Sequence, residues 1–212
     1  MTDYERMKEV ILTGRAEEIS ALVKQALAEG TNPQDIIAQG LIAGMDEVGV
    51  RFKNGDMYIP EVLVSAKTMH QGMDILRPLL TKEGAKSMGT IVLGTVKGDL
   101  HDIGKNLVGM MLEGAGFEVV DLGVDQSAEQ FVEAVRKKGA QAVALSALLT
   151  TTMQEMAKVI DALKDAGLRK QVKVLIGGAP LSEKFAQTIG ADGYAPDAGS
   201  AVGILRNLIK NN

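Results

Sequence analysis

Asp99 and His101 stand two residues apart in the stretch GTVKGDLHDIGKNLVG, followed by Asp102 and, three residues after the histidine, by Gly104. An imidazole can move a proton or bind a metal. A carboxylate beside it decides which ring nitrogen carries the proton. At this separation in an extended loop, Asp99 can accept from one ring nitrogen and leave the other for a ligand. Asp102 reads as a helix N-cap, and Gly104 carries no side chain where the helix begins. The other histidine, His70, lies off the apolar stripe of its helix and reads as structural or exposed.

Composition removes several classes of chemistry. With no cysteine there is no disulfide and no thiolate metal site. The net charge of -4 is interspersed, without a basic run or stripe, so nucleic acid is not an expected partner. The polar start MTDYERMKEV is unlike a signal peptide, and no apolar run approaches the roughly 20 residues that span a bilayer, so a cytoplasmic protein with no membrane partner is expected.

Two regions must position these residues, 1–88 and 89–212. The first reads as a four-helix bundle. Thr2-Asp3-Tyr4-Glu5 has the form of a capping box, and Ile19, Leu22, Val23, Ala26 and Leu27 recur at helical spacing. After Gly30, Asn32-Pro33 starts a third helix with Ile37, Leu41, Met45 and Val48 on its apolar face. Pro60 opens a fourth, with Val62, Ala66, Met69, Met73, Leu76 and Leu80 in one stripe. TKEGAKSMG, residues 81–89, reads as a polar linker and hinge.

The period then changes. TIVLGTV is a continuous β-branched and aliphatic run, as in a strand covered on both faces. Further strands are predicted over 118–122, 142–146 and 172–176 and in ADGYA. Helical patterns separate them over 104–116, 127–138, 152–166, 182–189 and 198–210. Alternating strands and helices imply right-handed crossovers and a doubly wound parallel sheet of five strands, an α/β fold. Ligands of such sheets bind at the carboxyl ends of the strands. KGDLHDIG, SALLTTT, GGAP and YAPDAG all fall there. A dinucleotide fingerprint G-x-G-x-x-G is absent from the first loop. A phospho-acceptor site would leave the histidine unexplained.

Asp99-x-His101-x-x-Gly104 resembles the cobalamin-binding motif D-x-H-x-x-G. Ser146 and Leu148 resemble the S-x-L of the same family, and Gly177-Gly178 its G-G. Residues 41–66, LIAGMDEVGVRFKNGDMYIPEVLVSA, are similar to the helix-bundle cap of corrinoid-dependent methyltransferases. The resemblance covers essentially the whole chain and implies a Rossmann-like, flavodoxin-like sheet domain. It implies cobalamin or a related corrinoid held base-off, with His101 as the lower axial ligand to cobalt. Asp99 would fix the tautomer. Ser146 would bond the displaced nucleotide tail, Gly177 and Gly178 would leave room for it, and Tyr194 and Ala195 would flank its far end. Thr150 is a further candidate tail contact, and Asp102, Gly104 and Leu148 complete the set. Thr152 matches a residue that extends the His-Asp pair in the methionine synthase branch. It also opens Thr152-Met-Gln-Glu155, a capping box, and the cap is the favoured reading. Phe52, Met57 and Tyr58 are candidates to shield the upper axial face.

The resemblance implies a non-catalytic methyl carrier. It would accept a methyl group on cobalt(I) from a substrate:corrinoid methyltransferase. It would surrender it to a corrinoid:acceptor methyltransferase serving a thiol or a pterin, and a reductive activase would maintain it. Two alternatives share the module. Mutase small subunits lack the cap, and cobalamin-dependent sensors add a DNA-binding domain. A sugar- or nucleotide-binding module of the same fold class is the third, and a colourless protein would favour it.

Overall fold

The computed structural model describes residues 2–80 and 87–210. The chain divides into two compact units, one helical and one containing all five strands. Residues 81–86 of the expected linker lie outside the described residues, as does the side chain of Leu80.

The helical unit begins with α1 (Tyr4–Leu12), α2 (Ala16–Ala28) and α3 (Pro33–Asp35). A π-helical segment (Ile36–Ile42) joins α3 to α4 (Ala43–Asn54), and α5 (Ile59–Leu80) follows. Asp3 caps α1 by accepting from the Arg6 amide at 2.9 Å, so the carboxylate and not the Thr2 hydroxyl satisfies the free helix-terminal donor. Asn32 caps α3 through the Gln34 amide, with Pro33 in the first turn. In the π segment the buried face is formed by Ile36 and Leu41, five residues apart, and Ile37 is only partly buried. The apolar pattern therefore changes register there, because π bonds span one residue more than α bonds. Gly40 lies under Met7, whose sulfur would be 2.8 Å from an added Cβ. In α5, Val62, Ala66, Met69 and Leu76 are buried and Met73 is half-buried. No described helix is long and apolar enough to cross a membrane.

The sheet unit alternates strand and helix. β1 (Thr90–Thr95), β2 (Glu118–Asp121), β3 (Ala142–Ser146), β4 (Lys173–Gly177) and β5 (Gly193–Ala195) are all parallel, in the order β2-β1-β3-β4-β5. The intervening helices are α6 (Ile103–Gly114), α7 (Ala128–Lys138), α8 (Glu155–Asp165), α9 (Glu183–Ile189) and α10 (Ala198–Lys210). β1, β3 and β4 are almost wholly buried, which explains their uninterrupted apolar runs. One layer of the core packs Val92, Val143 and Val174 against Phe131 and Val135 of α7 and Val159, Ile160 and Leu163 of α8. Ser127 and Gln130 form a reciprocal capping box on α7. This is the doubly wound, flavodoxin-like arrangement. Its strand order reverses between β1 and β3, and the two loops leaving that point open a crevice at the carboxyl edge of the sheet.

Candidate functional site

The crevice is built around one buried carboxylate. Asp99 sits in the loop after β1, in a turn closed by its own amide on the Val96 carbonyl at 3.1 Å, with Gly98 at φ +80°. The Asp99 side chain is fully buried yet takes five donors. Oδ1 accepts from the His101 amide at 3.1 Å and from His101 Nδ1 at 2.7 Å. Oδ2 accepts from Thr152 Oγ1 at 2.7 Å and from the amides of Leu148 and Leu149 at 2.8 and 3.3 Å. The spacing of two is thereby explained: a carboxylate bonding the amide two residues on is an Asx turn, and the same turn brings the imidazole alongside.

Burial alone would push the Asp99 carboxyl up. The Thr152 hydroxyl, the Leu148 amide and the two His101 donors outweigh it and hold the group well below the usual carboxylate range. Asp99 is therefore ionised at neutral pH and can only accept, so Nδ1 of His101 carries the proton. In the neutral imidazole Nε2 then keeps a lone pair. The ring is half exposed, and the hydrogen bonds found for it among the described residues engage Nδ1. The loop is held from below by Thr95, whose buried hydroxyl donates to the His101 carbonyl at 2.8 Å.

Thr152 is corrected by these contacts. It is not a helix cap: α8 starts only at Glu155, its N-cap position is Gln154, and residues 150–154 form turns. The hydroxyl is turned instead onto Asp99. Asp102 stands before α6, with its carbonyl receiving the Asn106 amide and its carboxylate receiving Asn106 Nδ2 at 3.1 Å. Gly104, in the first turn of α6, would meet nothing within 4 Å if it carried a Cβ, so the space over it is open.

Ser146, Gly177 and Ala195 are brought into one row across the carboxyl edge, continuous with Thr95 of β1 by register. Tyr194 is partly buried beside that row, and Leu148 and Thr150 are exposed. Gly178 needs a different explanation from Gly104. It has φ +139°, and a Cβ there would lie 1.9 Å from the Ala147 carbonyl oxygen. Its missing side chain admits the neighbouring loop's backbone, a requirement of the fold itself, and does not open a cavity. In the helical unit Met57 is buried and Tyr58 is exposed.

Leu148 apart, several neighbours were not legible from the sequence. Leu100 and Ile103, 72% and 73% exposed, flank His101 in the chain, and Leu148 and Leu149 flank it through Asp99. Exposed aliphatics around one polar group suit a ligand with an apolar face. Lys105 is buried and paired with Asp121 at the end of β2, and it also donates to Asn106 Oδ1 at 2.6 Å. For Lys105 and Asp121 the only signal was position: one follows the histidine and the other ends β2.

Two family models, both described as B12 binding domains, match residues 89–203 and 4–77. The chain belongs to the B12-binding corrinoid proteins. A corrinoid protein of Desulfitobacterium hafniense is 42% identical over 212 residues, covering 99% of this chain and 98% of that one. Trimethylamine corrinoid protein 1 of Methanosarcina acetivorans is 43% identical over 93% of each chain. Among solved structures, a chain of the methanol:cobalamin methyltransferase complex of Methanosarcina barkeri superposes with a TM-score of 0.85 at 31% identity, covering 97% of this chain and 79% of that chain.

The site of this corrinoid protein fits such a group on its own chemistry. One imidazole offers a fixed lone pair, open space lies over Gly104, and aliphatic side chains are exposed around both. A single protein nitrogen suits a metal that arrives with its equatorial ligands in a macrocycle.

Proposed function

We propose that the chain is a corrinoid methyl carrier. In this reading it takes a methyl group from a substrate:corrinoid methyltransferase and presents it to a corrinoid:acceptor methyltransferase, with a thiol or a pterin such as tetrahydrofolate as final acceptor. A reductive activase is the third partner. The methyl donors are of the methylamine and methanol class, the compounds named in its relatives. When bound, the corrinoid supplies a cobalt that takes up a methyl group in its most reduced state and releases it to a nucleophile. His101 would hold the cobalt through Nε2, the ring nitrogen that Asp99 leaves without a proton. Asp99 keeps the proton on Nδ1 and balances charge on the ring, and Thr152 with the Leu148 and Leu149 amides keeps Asp99 ionised. Ser146, Thr150, Gly177, Tyr194 and Ala195 would hold the displaced nucleotide tail along the carboxyl edge, with Gly178 shaping the loop beside it. Bond making at carbon belongs to the partners.

The observation that carries this reading is the 2.7 Å contact of His101 Nδ1 with a buried carboxylate held by two further loop amides and a hydroxyl. It leaves a half-exposed imidazole whose Nε2 keeps a lone pair. The test is to load the apo-protein with cobalamin under reducing conditions. One equivalent should bind, with the cofactor's own base displaced. In protein labelled with nitrogen-15 at histidine, the electron spin resonance of the Co(II) state should show coupling to one protein nitrogen, lost in His101→Ala. A folded protein that binds no corrinoid ends the reading. An unchanged spectrum in His101→Ala ends the role given to the histidine.

A further inference from the structure

The turn that carries the carboxylate beside His101 is itself held by a residue of another loop. Asp125 lies between β2 and α7 and has φ +55°, the one positive φ outside glycine among the described residues. Aspartate tolerates this left-handed region better than most residues, but rarely without a local reason. Here the reason is a two-point grip on the turn that carries Asp99. Asp125 Oδ1 accepts from the Gly98 amide at 2.7 Å, and the Asp125 amide donates to the Asp99 carbonyl at 3.0 Å. The segment around Asp125 is anchored on both sides. The Gly123 carbonyl receives the Thr95 amide at 2.9 Å, and Gln126 donates its amide to the Thr95 carbonyl at 3.0 Å. The Gly123 amide in turn donates to Asp121, the partner of buried Lys105.

We infer that Asp125 is a positioning residue: by holding the Gly98 amide and the Asp99 carbonyl at once, it sets the turn from which Asp99 reaches His101 Nδ1. For its meaning in the carrier, this rests on the reading of His101 as the cobalt ligand. The grip itself requires no cofactor. Asp125 is exposed, so its replacement leaves no cavity in the core. Without the Oδ1 bond the grip of Asp125 on the turn falls from two bonds to one, and the Oδ1 side of Asp99 loses its support while Oδ2 stays held by Thr152 and the Leu148 amide. The Asp99 oxygen then samples positions out of reach of Nδ1, and the proton distributes over both ring nitrogens.

The test reads the imidazole directly in apo-protein. The chain has two histidines, and His101→Ala assigns the signals. Nitrogen-15 shifts of the ring are recorded at about pH 8, above the ordinary histidine range, for wild type, Asp125→Asn, Asp125→Ala and Asp125→Gly. Wild type should hold the Nδ1–H tautomer almost alone. Asp125→Asn keeps an acceptor oxygen and tolerates the backbone conformation, so it should retain that tautomer. Asp125→Ala and Asp125→Gly lose the acceptor and should shift the tautomer ratio by about tenfold, the effect of one lost hydrogen bond, with faster exchange of the Gly98 amide. Unchanged tautomers in both overturn the role of Asp125 while leaving His101 as read. A shift in Asp125→Ala with wild-type behaviour in Asp125→Gly overturns it too, since backbone strain would then be the cause. Wild type without the Nδ1–H preference overturns the presentation of Nε2, and the inference with it.

Discussion

Thr152 Oγ1 donates to Asp99 Oδ2 at 2.7 Å, across 53 residues of sequence and inside the protein. The contact joins the loops after β1 and β3 at the point where the strand order reverses. A carboxylate buried at that point must be fully supplied with donors, since burial opposes its charge.

Removing the Thr152 hydroxyl takes one donor from an ionised, buried group. Thr152→Ala should cost about 1.5–3 kcal/mol, the range for hydrogen bonds to charged groups. Thr152→Ser should cost about 0.8 kcal/mol, the value of one buried methyl. Exchange of the amide protons of β1 and β3 measures both. Equal losses in the two variants would show that the hydroxyl is not what matters.

The depressed carboxyl of Asp99 has a pH signature. Its folded pKa lies below the unfolded value of about 3.9. Its contribution is therefore fully present above the unfolded pKa and is lost as pH falls towards the folded one. In that acidic window stability falls by up to about 1.4 kcal/mol per pH unit. Asp99→Asn lacks this linkage, and the other carboxylates cancel in the comparison. The stability difference between wild type and Asp99→Asn should be flat above about pH 5 and shrink below about pH 4. A difference that stays constant down to pH 2 would contradict it.

Gly104 and Gly178 should respond oppositely. Gly104→Leu meets open space in the first turn of α6, so apo stability should hold or rise by up to about 1 kcal/mol. Corrinoid affinity should fall by about tenfold or more, equivalent to about 1.4 kcal/mol. Gly178→Ala combines φ +139° with a contact of 1.9 Å and should destabilise the apo-protein by about 2–6 kcal/mol. Thermal unfolding and cobalamin titration separate the two effects. Undiminished corrinoid binding in Gly104→Leu would mean that no ligand lies over that glycine.

Leu100 and Ile103 test the apolar face beside the histidine. Both are so exposed that Leu100→Ser and Ile103→Ser should change apo stability by no more than about 0.5 kcal/mol. If the corrin covers them, each should weaken binding by about tenfold or more, since burying such a side chain contributes about 1.5–3 kcal/mol. Cobalamin titration of each variant reads this, and affinities equal to wild type would place the ligand elsewhere.

Much of the fold was legible because its signals are local. Buried parallel strands need uninterrupted apolar runs, and β1, β3 and β4 have them. Asn32-Pro33 and Ser127 mark helix starts through bonds to amides two or three residues away. The π segment was not legible, because Ile36 and Leu41 differ from an α pattern by a single residue in register.

The sequence by itself determined the alternation of strands and helices, the Asp99–His101 pair and the family it resembles, since an Asx turn and an apolar run are set by residues close in the chain. Only the tertiary structure decided the role of Thr152. Its capping pattern and its hydroxyl were compatible with two partners, and the buried charge of Asp99 from another loop claimed it. The same holds for Asp125 and for the cause of Gly178. One strains its backbone to bond a turn 27 residues away, and the other makes room for the Ala147 carbonyl of a neighbouring loop. Local spacing cannot encode such choices, because the energies that settle them arise only when distant loops meet around a buried charge.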